Sequence, residues 1–374
     1  MSRETIQLDL GPLSAHAFNK DRSQVAISNS NEVLIYQRSS GSDWQRIHTL
    51  QGHDKLVTSI DWAPTTNRIV TCSQDRNAYV WTLDGASQQW KPTLVLLRLN
   101  RAATFVRWSP KENKFAVASG ARMISVCHFE EDNDWWVSKH LRRPLRSTVL
   151  SLDWHPNNVL LAAGSADMKA RVFSAYIKGV DEKPPASPWG DRLPFGILCA
   201  EYTHGPCGWV HDVAFSPEGD RLAWVGHGSS VSVATPASNQ VVTVKTALLP
   251  RASLIWLTPQ SLVAVGYDCT PVLFSQNDRG EWMMVEKLDQ SQKKAALSGN
   301  TAFNKFRQMD SRAQTDAGTG TELNTIHQNT ITSIRVFEGQ RDAVKAFSTS
   351  GVDGRLTIWD VRQIEQGIAG LRIQ

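Results

Sequence analysis

The chain has 374 residues, 41% hydrophobic and 20% charged, with a formal net charge of +4. That balance describes a folded globular chain and excludes a disordered one. The small, evenly spread charge gives no argument for a nucleic-acid partner, and no apolar run reaches the roughly eighteen residues of a membrane span, so no membrane insertion is expected.

From the N-terminus, Met1 to Leu10 carries charges and has no apolar signal core, which predicts a chain that is not secreted. Within it, Ile6-Gln7-Leu8 is expected to supply the outer strand of the last repeat described below, so that the two ends of the chain share one sheet. Three segments then repeat: Ser59-Ile60-Asp61-Trp62-Ala63-Pro64, Phe105-Val106-Arg107-Trp108-Ser109-Pro110 and Ser151-Leu152-Asp153-Trp154-His155-Pro156. Their tryptophans are spaced by 46 residues in each step. Looser copies fall at Ala17-Phe18-Asn19, Val213 to Pro217, Leu254-Ile255-Trp256 and Thr332 to Val336. After each comes a small apolar run such as Ile69 to Cys72, then a β-rich run. Most of these end in an aromatic residue: Val33 to Tyr36, Ala78 to Trp81, Ile124 to Phe129, Ala170 to Phe173, Pro271 to Phe274 and Leu356 to Trp359. The fifth copy, Ser230 to Val233, lacks the aromatic.

Seven copies of about 40 to 46 residues, each with three or four short strands, read as the four-stranded blades of a β-propeller. Strands apolar on both faces require cover on both faces, and stacked blades provide it. The expected fold is therefore all-β: one seven-bladed propeller of the WD-repeat type over residues 1–374. The five cysteines form no Cys-x-x-Cys pair and are expected to be reduced thiols.

An aspartate precedes the aromatic by six residues in four copies: Asp75, Asp167, Asp268 and Asp353. It suits a tight turn, where the carboxylate accepts backbone N–H groups. His53, Asp75 and Trp81, with Ser73 or Thr71, and likewise His327, Asp353 and Trp359, are expected to form buried hydrogen-bonded chains. Such His/Asp/hydroxyl sets resemble catalytic groups, but repetition across blades marks them as structural. No unique polar constellation stands outside them, so neither an enzyme, a cofactor nor a metal is expected.

Function is expected where the repeat breaks. Lys139, Arg142, Arg143 and Arg146 follow Trp135-Trp136 and form either a docking site for an acidic peptide or a solvated loop. Residues 180–202 hold four prolines with Trp189 and Phe195. They are a ligand for a separate domain, a loop stapled onto the propeller, or a contact in a fixed assembly. From Phe274 to Trp359 is 85 residues, nearly two repeats, yet only one blade is recognisable there. The excess, 286–322, reads as a flexible insertion before the last blade, with a short amphipathic helix over about 301–313. Phe303, Phe306, Met309 and Ala313 fall within about 120° of a helical wheel. This stripe either enters a partner's groove or folds back on the blades.

Beyond the generic repeat, the segments Trp90 to Val95, Asn133 to Val137, Arg146 to Pro156, Phe173 to Lys178 and Cys207 to His211 resemble the WD-repeat subunit of the actin-related protein 2/3 complex. So do Asn19 to Arg22, Ile60 to Pro64 and Asp75 to Trp81. The resemblance runs from about residue 12 to the C-terminus and narrows to Phe303–Asp310 within the insertion. It implies a non-catalytic, cytoplasmic subunit of a seven-protein assembly in the actin cytoskeleton that nucleates branched filaments. Its partners would be actin-related proteins and small subunits, the mother actin filament, and nucleation-promoting activators. The insert helix, here Phe303, Phe306, Arg307 and Met309, would contact filament and activators. The 139–146 cluster is a candidate dock for the activators' acidic tails. The alternative is a WD-repeat adaptor of another assembly, such as a ubiquitin ligase or a vesicle coat.

Overall fold

The structure, a computed structural model, describes residues 2–8, 10–39, 43–203, 208–289 and 323–361. Seven four-stranded antiparallel sheets follow one another around a ring. Blade 1 is β2 (His16–Phe18), β3 (Gln24–Asn29), β4 (Glu32–Arg38) and β5 (Trp44–Leu50). Blade 2 is β6 (Val57–Trp62), β7 (Ile69–Ser73), β8 (Ala78–Leu83) and β9 (Trp90–Val95). Blade 3 is β10 (Ala103–Trp108), β11 (Lys114–Ser119), β12 (Ile124–Glu130) and β13 (Trp135–Leu141). Blade 4 is β14 (Val149–Trp154), β15 (Leu160–Ser165), β16 (Lys169–Ser174) and β17 (Leu198–Thr203). Blade 5 is β18 (Val210–Phe215), β19 (Leu222–Gly226), β20 (Ser230–Thr235) and β21 (Gln240–Lys245). Blade 6 is β22 (Arg251–Thr258), β23 (Ser261–Gly266), β24 (Val272–Gln276) and β25 (Trp282–Lys287).

Blade 7 closes the ring. It joins β26 (Ile331–Gln340), β27 (Ala343–Gly351) and β28 (Arg355–Asp360) to the N-terminal β1 (Ser2–Gln7). In that pairing Glu4 lies opposite Ile358 and Ile6 opposite Leu356, so the first strand covers the edge that β28 would otherwise expose. Among the described residues the only helical turns are two 3-10 turns, Glu131–Asn133 and Pro236–Ser238.

The second strand of each blade is almost wholly buried because it packs against both neighbouring blades, and most of its side chains are small or aliphatic. The apolar core accordingly divides into seven clusters, one per blade-to-blade interface. Val70, Val80, Val106 and Phe115 join blades 2 and 3, and Ile6, Phe18, Leu34 and Ile358 join blades 7 and 1. The recurring tryptophans also gain a partner within their own blade. Trp62 meets Trp90 edge to face at 5.6 Å, Trp108 meets Trp136 at 5.7 Å, and Trp256 meets Trp282 at 5.6 Å. Each pair clamps an inner strand to its outer strand and adds about 0.5–1.5 kcal/mol beyond area burial.

The blades define two faces. Interblade loops run beside the turns that join second and third strands, and the backbone ties them together. Gln74 N–H bonds Leu56 O at 3.0 Å, Gly120 N–H bonds Ala102 O at 2.9 Å, Ala166 N–H bonds Thr148 O at 2.8 Å, and His227 N–H bonds Trp209 O at 3.0 Å. This is the loop face. The turns after first and third strands make the opposite face.

The helix expected over 301–313 and most of the 286–322 insertion lie outside the described residues. The lower boundary placed at Glu286 falls inside β25, which runs to Lys287. Leu288 is buried between blades 6 and 7, and Asp289 accepts the Ile326 N–H at 2.6 Å. Charged residues on the outer edge of a blade face solvent, so Glu286 and Lys287 read like a linker although they belong to the sheet.

Candidate functional site

The polar sets that look most like chemistry are sealed inside the blades. In blade 2, His53 Nδ1 lies 2.8 Å from Asp75 Oδ2, and His53 Nε2 lies 2.8 Å from Thr71 Oγ1. Trp81 Nε1–H donates to the same hydroxyl at 3.0 Å. Burial lowers the His53 pKa, against the pull of Asp75, so the ring is neutral. The polarity then runs one way: Trp81 donates to Thr71, Thr71 to His53, and His53 to Asp75. Thr71, not Ser73, is the relay; Ser73 donates to Lys55 O instead. Blade 7 repeats the set, with His327 on Asp353 at 3.1 Å and on Thr349 Oγ1 at 2.8 Å, and Trp359 on Thr349 at 2.8 Å. A hydroxyl, an imidazole and a carboxylate in line match the parts of a nucleophilic triad. Here, however, Thr71 and Thr349 are fully buried, with a tryptophan N–H already on each oxygen.

The four turn aspartates do the same job in every case. Asp75, Asp167, Asp268 and Asp353 accept the backbone N–H of Asp54, Arg146, Leu249 and Gln328, respectively, at 2.8–3.1 Å. Each carboxylate therefore pins an interblade loop to its own blade. Where histidine is missing, a buried arginine takes its place: Arg171 on Asp167 at 2.9 Å and Arg251 on Asp268 at 2.8 Å.

Of the basic cluster, Arg142, Arg143 and Arg146 are exposed on the interblade loop of the loop face. Lys139 stands apart on β13, its ammonium 6.0 Å from the centre of the Phe195 ring. The proline-rich segment packs on its own propeller. Trp189 is buried, donates to Gly219 O at 2.7 Å and meets Phe215 edge on. Leu193 O accepts the Ser174 hydroxyl at 2.6 Å. The chain entering this segment is held by a buried ion pair between Lys114 and Asp181. Phe303, Phe306, Arg307 and Met309 lie outside the described residues.

The central channel holds charges that the repeat analysis passed over. Asp61, Arg107 and Asp153 each precede a repeat tryptophan, so they occupy the same phase and face the axis. Asp61 accepts Trp108 N–H at 2.8 Å, Asp153 accepts Phe215 N–H at 2.8 Å, and Asp212 accepts Leu254 N–H at 3.0 Å. Each carboxylate thus stitches one inner strand to the next. Burial pushes Asp61 up to about 6, opposed by Arg107, and pushes Asp212 to about 6, opposed by Ser253. Blade 7 reaches across the axis to them. Arg335 contacts Asp61 at 3.3 Å, and Arg341, at the tip of the long β26–β27 hairpin, contacts Asp153 at 3.3 Å and Phe215 O at 3.3 Å. These residues surround a cavity of about 300 Å³ at the mouth opposite the loop face.

The described cysteines, Cys72, Cys127, Cys199 and Cys269, are free thiols, and burial pushes Cys72 up to about 12. Among the described residues no helix is long and apolar enough to cross a membrane.

The family model described as "WD domain, G-beta repeat" matches residues 44–82 and 136–174. Each match begins at an outer strand and ends at the third strand of the next blade, so the repeating unit of sequence is offset from the blade by one strand. Over nearly the full length, the chain is 54% identical to "Actin-related protein 2/3 complex subunit 1A-B" of Xenopus laevis, covering 98% of this chain and 99% of the relative. It is 51% identical to "Actin-related protein 2/3 complex subunit 1" of Schizosaccharomyces pombe, covering 93% and 96%. To "Actin-related protein 2/3 complex subunit 1B" of Arabidopsis thaliana it is 42% identical, covering 95% of each. With relatives this similar, aligned from end to end of one closed propeller, the chain belongs to the subunit 1 family of the actin-related protein 2/3 complex.

Proposed function

We propose that the chain is a non-catalytic scaffold subunit of an actin-related protein 2/3 complex and supports nucleation of branched actin filaments in the cytoplasm. The observation that carries this is the end-to-end alignment at 54% identity with a relative named as such a subunit. The fold is consistent with it: the polar networks are sealed, and the exposed side chains lie on loops and outer strands. Affinity purification of the tagged chain should recover both actin-related subunits and the small subunits; recovery without the actin-related proteins overturns the reading.

Two surfaces are assigned finer roles. Phe303, Phe306, Arg307 and Met309 contact the mother filament and activators, on the strength of the family resemblance of 303–310. Phe303→Ala with Phe306→Ala should leave the complex assembled and lower branch density in a nucleation assay. Arg142, Arg143 and Arg146, with Lys139 at the rim, receive acidic activator tails. Exposure of the three arginines on one loop supports this. Arg142→Glu with Arg143→Glu should weaken tail binding in a salt-dependent way.

A further inference from the structure

The part of the loop face over blades 2 to 4 is far more basic than the chain as a whole. Over blades 2 to 4, Lys55, Arg76, Arg98, Arg101 and Arg122 join the three arginines of the 142–146 loop, and all eight are exposed. Among the described residues none of them is in an ion pair. The acids on the same loops are Asp54, Asp75 and Asp167, and the last two are committed to His53 and Arg171. The chain's net charge of +4 is thus exceeded on one part of one face.

The fold does not demand these arginines. Arg76 and Arg122 occupy left-handed turn positions, with φ of 77° and 58°, and Arg98 has φ of 53°. At the turn position matching Arg76 and Arg122, other blades place Met168, Ser229, Cys269 and Gly354. Glycine or asparagine would fit there at less conformational cost. Uncharged side chains hold the same turn in the other blades, so the backbone does not call for arginine at either position.

The adjoining loops of the same face, over blades 4 to 6, present large apolar side chains to solvent. Trp209 is 53% exposed, Leu249 54% and Tyr267 42%. Both kinds of side chain sit on successive loop tips rather than around one cleft. Cations beside tryptophan and tyrosine on loop tips match the chemistry of a lipid–water interface, where headgroups take the charge and the aromatic rings settle at headgroup depth.

We propose that the loop face adsorbs to a bilayer carrying anionic headgroups, with Arg98, Arg101 and Arg122 in the electrostatic contact and Trp209 and Leu249 in the apolar one. This is surface adsorption without a spanning segment. It goes beyond the acidic-tail reading of the 142–146 loop and is separable from it, because Arg98, Arg101 and Arg122 lie outside that loop.

The test is flotation of the assembled complex with vesicles of phosphatidylcholine alone or mixed with phosphatidylserine. The complex should float with the mixed vesicles, not the neutral ones, and release as salt rises. Each cation near an anionic surface strengthens partitioning about fivefold, so Arg98→Glu with Arg122→Glu should lower the bound fraction at least about tenfold. Should that variant fail to assemble, Arg98→Gln with Arg122→Gln should still lower it about tenfold or more. Trp209→Ser with Leu249→Ser should weaken flotation while leaving its salt dependence in place. Equal flotation with both vesicles, or undiminished flotation of the arginine variants, overturns the proposal. So does binding of polyglutamate, lost in the arginine variants, by a complex that ignores the mixed vesicles: the face would then serve an acidic polypeptide.

Discussion

Removing β1 should open the ring, and the cost can be worked from the pairing. Glu4 to Gln7 lie opposite Ile358 to Arg355. An antiparallel ladder of that length holds about four hydrogen bonds, each contributing about 1 kcal/mol net. Ile6 is 8% exposed and packs with Leu356 and Ile358; burying such a side chain contributes about 2 kcal/mol more. The ion pair of Glu4 with Arg38 is partly exposed and adds little. Deleting residues 1–8 should therefore cost about 6 kcal/mol, a large part of the 5–15 kcal/mol typical of a folded domain. Ile6→Ala alone should cost about 2 kcal/mol. Urea unfolding followed by tryptophan fluorescence reads both. Hydrogen exchange should show the amides of β28 losing protection before those of β15. An unchanged urea midpoint for the deletion, or equal protection in both strands, refutes the idea that β1 holds the ring shut.

Three further outcomes follow from the polar interior. Thr71→Val leaves Trp81 N–H and His53 Nε2 without their shared partner and should cost about 2–4 kcal/mol in the same unfolding assay; a neutral result would mean the network is idle. Asp181→Asn strands the Lys114 ammonium in the interior and should cost about 3–5 kcal/mol, whereas Lys114→Met with Asp181→Leu should recover most of it. A double variant as unstable as the single would contradict this. His16 sits between the hydroxyls of Ser350 and Ser348, and burial lowers its pKa to about 3, aided by Arg107. The unfolded chain binds that proton first, so stability is full above pH 6.5 and falls as pH drops toward 3. Asp61 and Asp212, raised to about 6, act oppositely: their contribution is present below about pH 4 and is lost as pH rises through 6. His16→Asn should therefore resist acid better than the parent between pH 6 and 4, and parallel melting profiles would refute this.

The repeat was readable because its strongest marks are residues whose environments recur. Trp62, Trp108 and Trp154 each end an inner strand, and Asp75, Asp167, Asp268 and Asp353 each cap the same turn. The fifth blade, which lacks the third-strand aromatic, still forms its sheet, with Trp224 on the second strand stacked on Tyr202 of blade 4 at 5.4 Å. What escaped the sequence is what joins residues far apart along the chain. Arg341 meets a partner 188 positions away, and Lys114 one 67 positions away, with no local pattern to announce either. The basic face escaped for a different reason. Arg76 and Arg122 are separated by one full repeat, so they look isolated along the chain and become neighbours only when blades stack. The channel charges were legible in principle, since Asp61, Arg107 and Asp153 share a phase with the tryptophans beside them.

The pairing of β1 with β28 also sets a schedule for synthesis. Ile6 and its partner Leu356 are 350 positions apart, so β1 leaves the ribosome long before the strand it pairs with. At about 5–20 residues per second, it waits roughly 20 to 70 s while the blades form behind it. Throughout that interval the nascent chain carries an unpaired strand with Ile6 uncovered, the kind of segment that chaperones hold and that neighbouring nascent chains on one message could exchange.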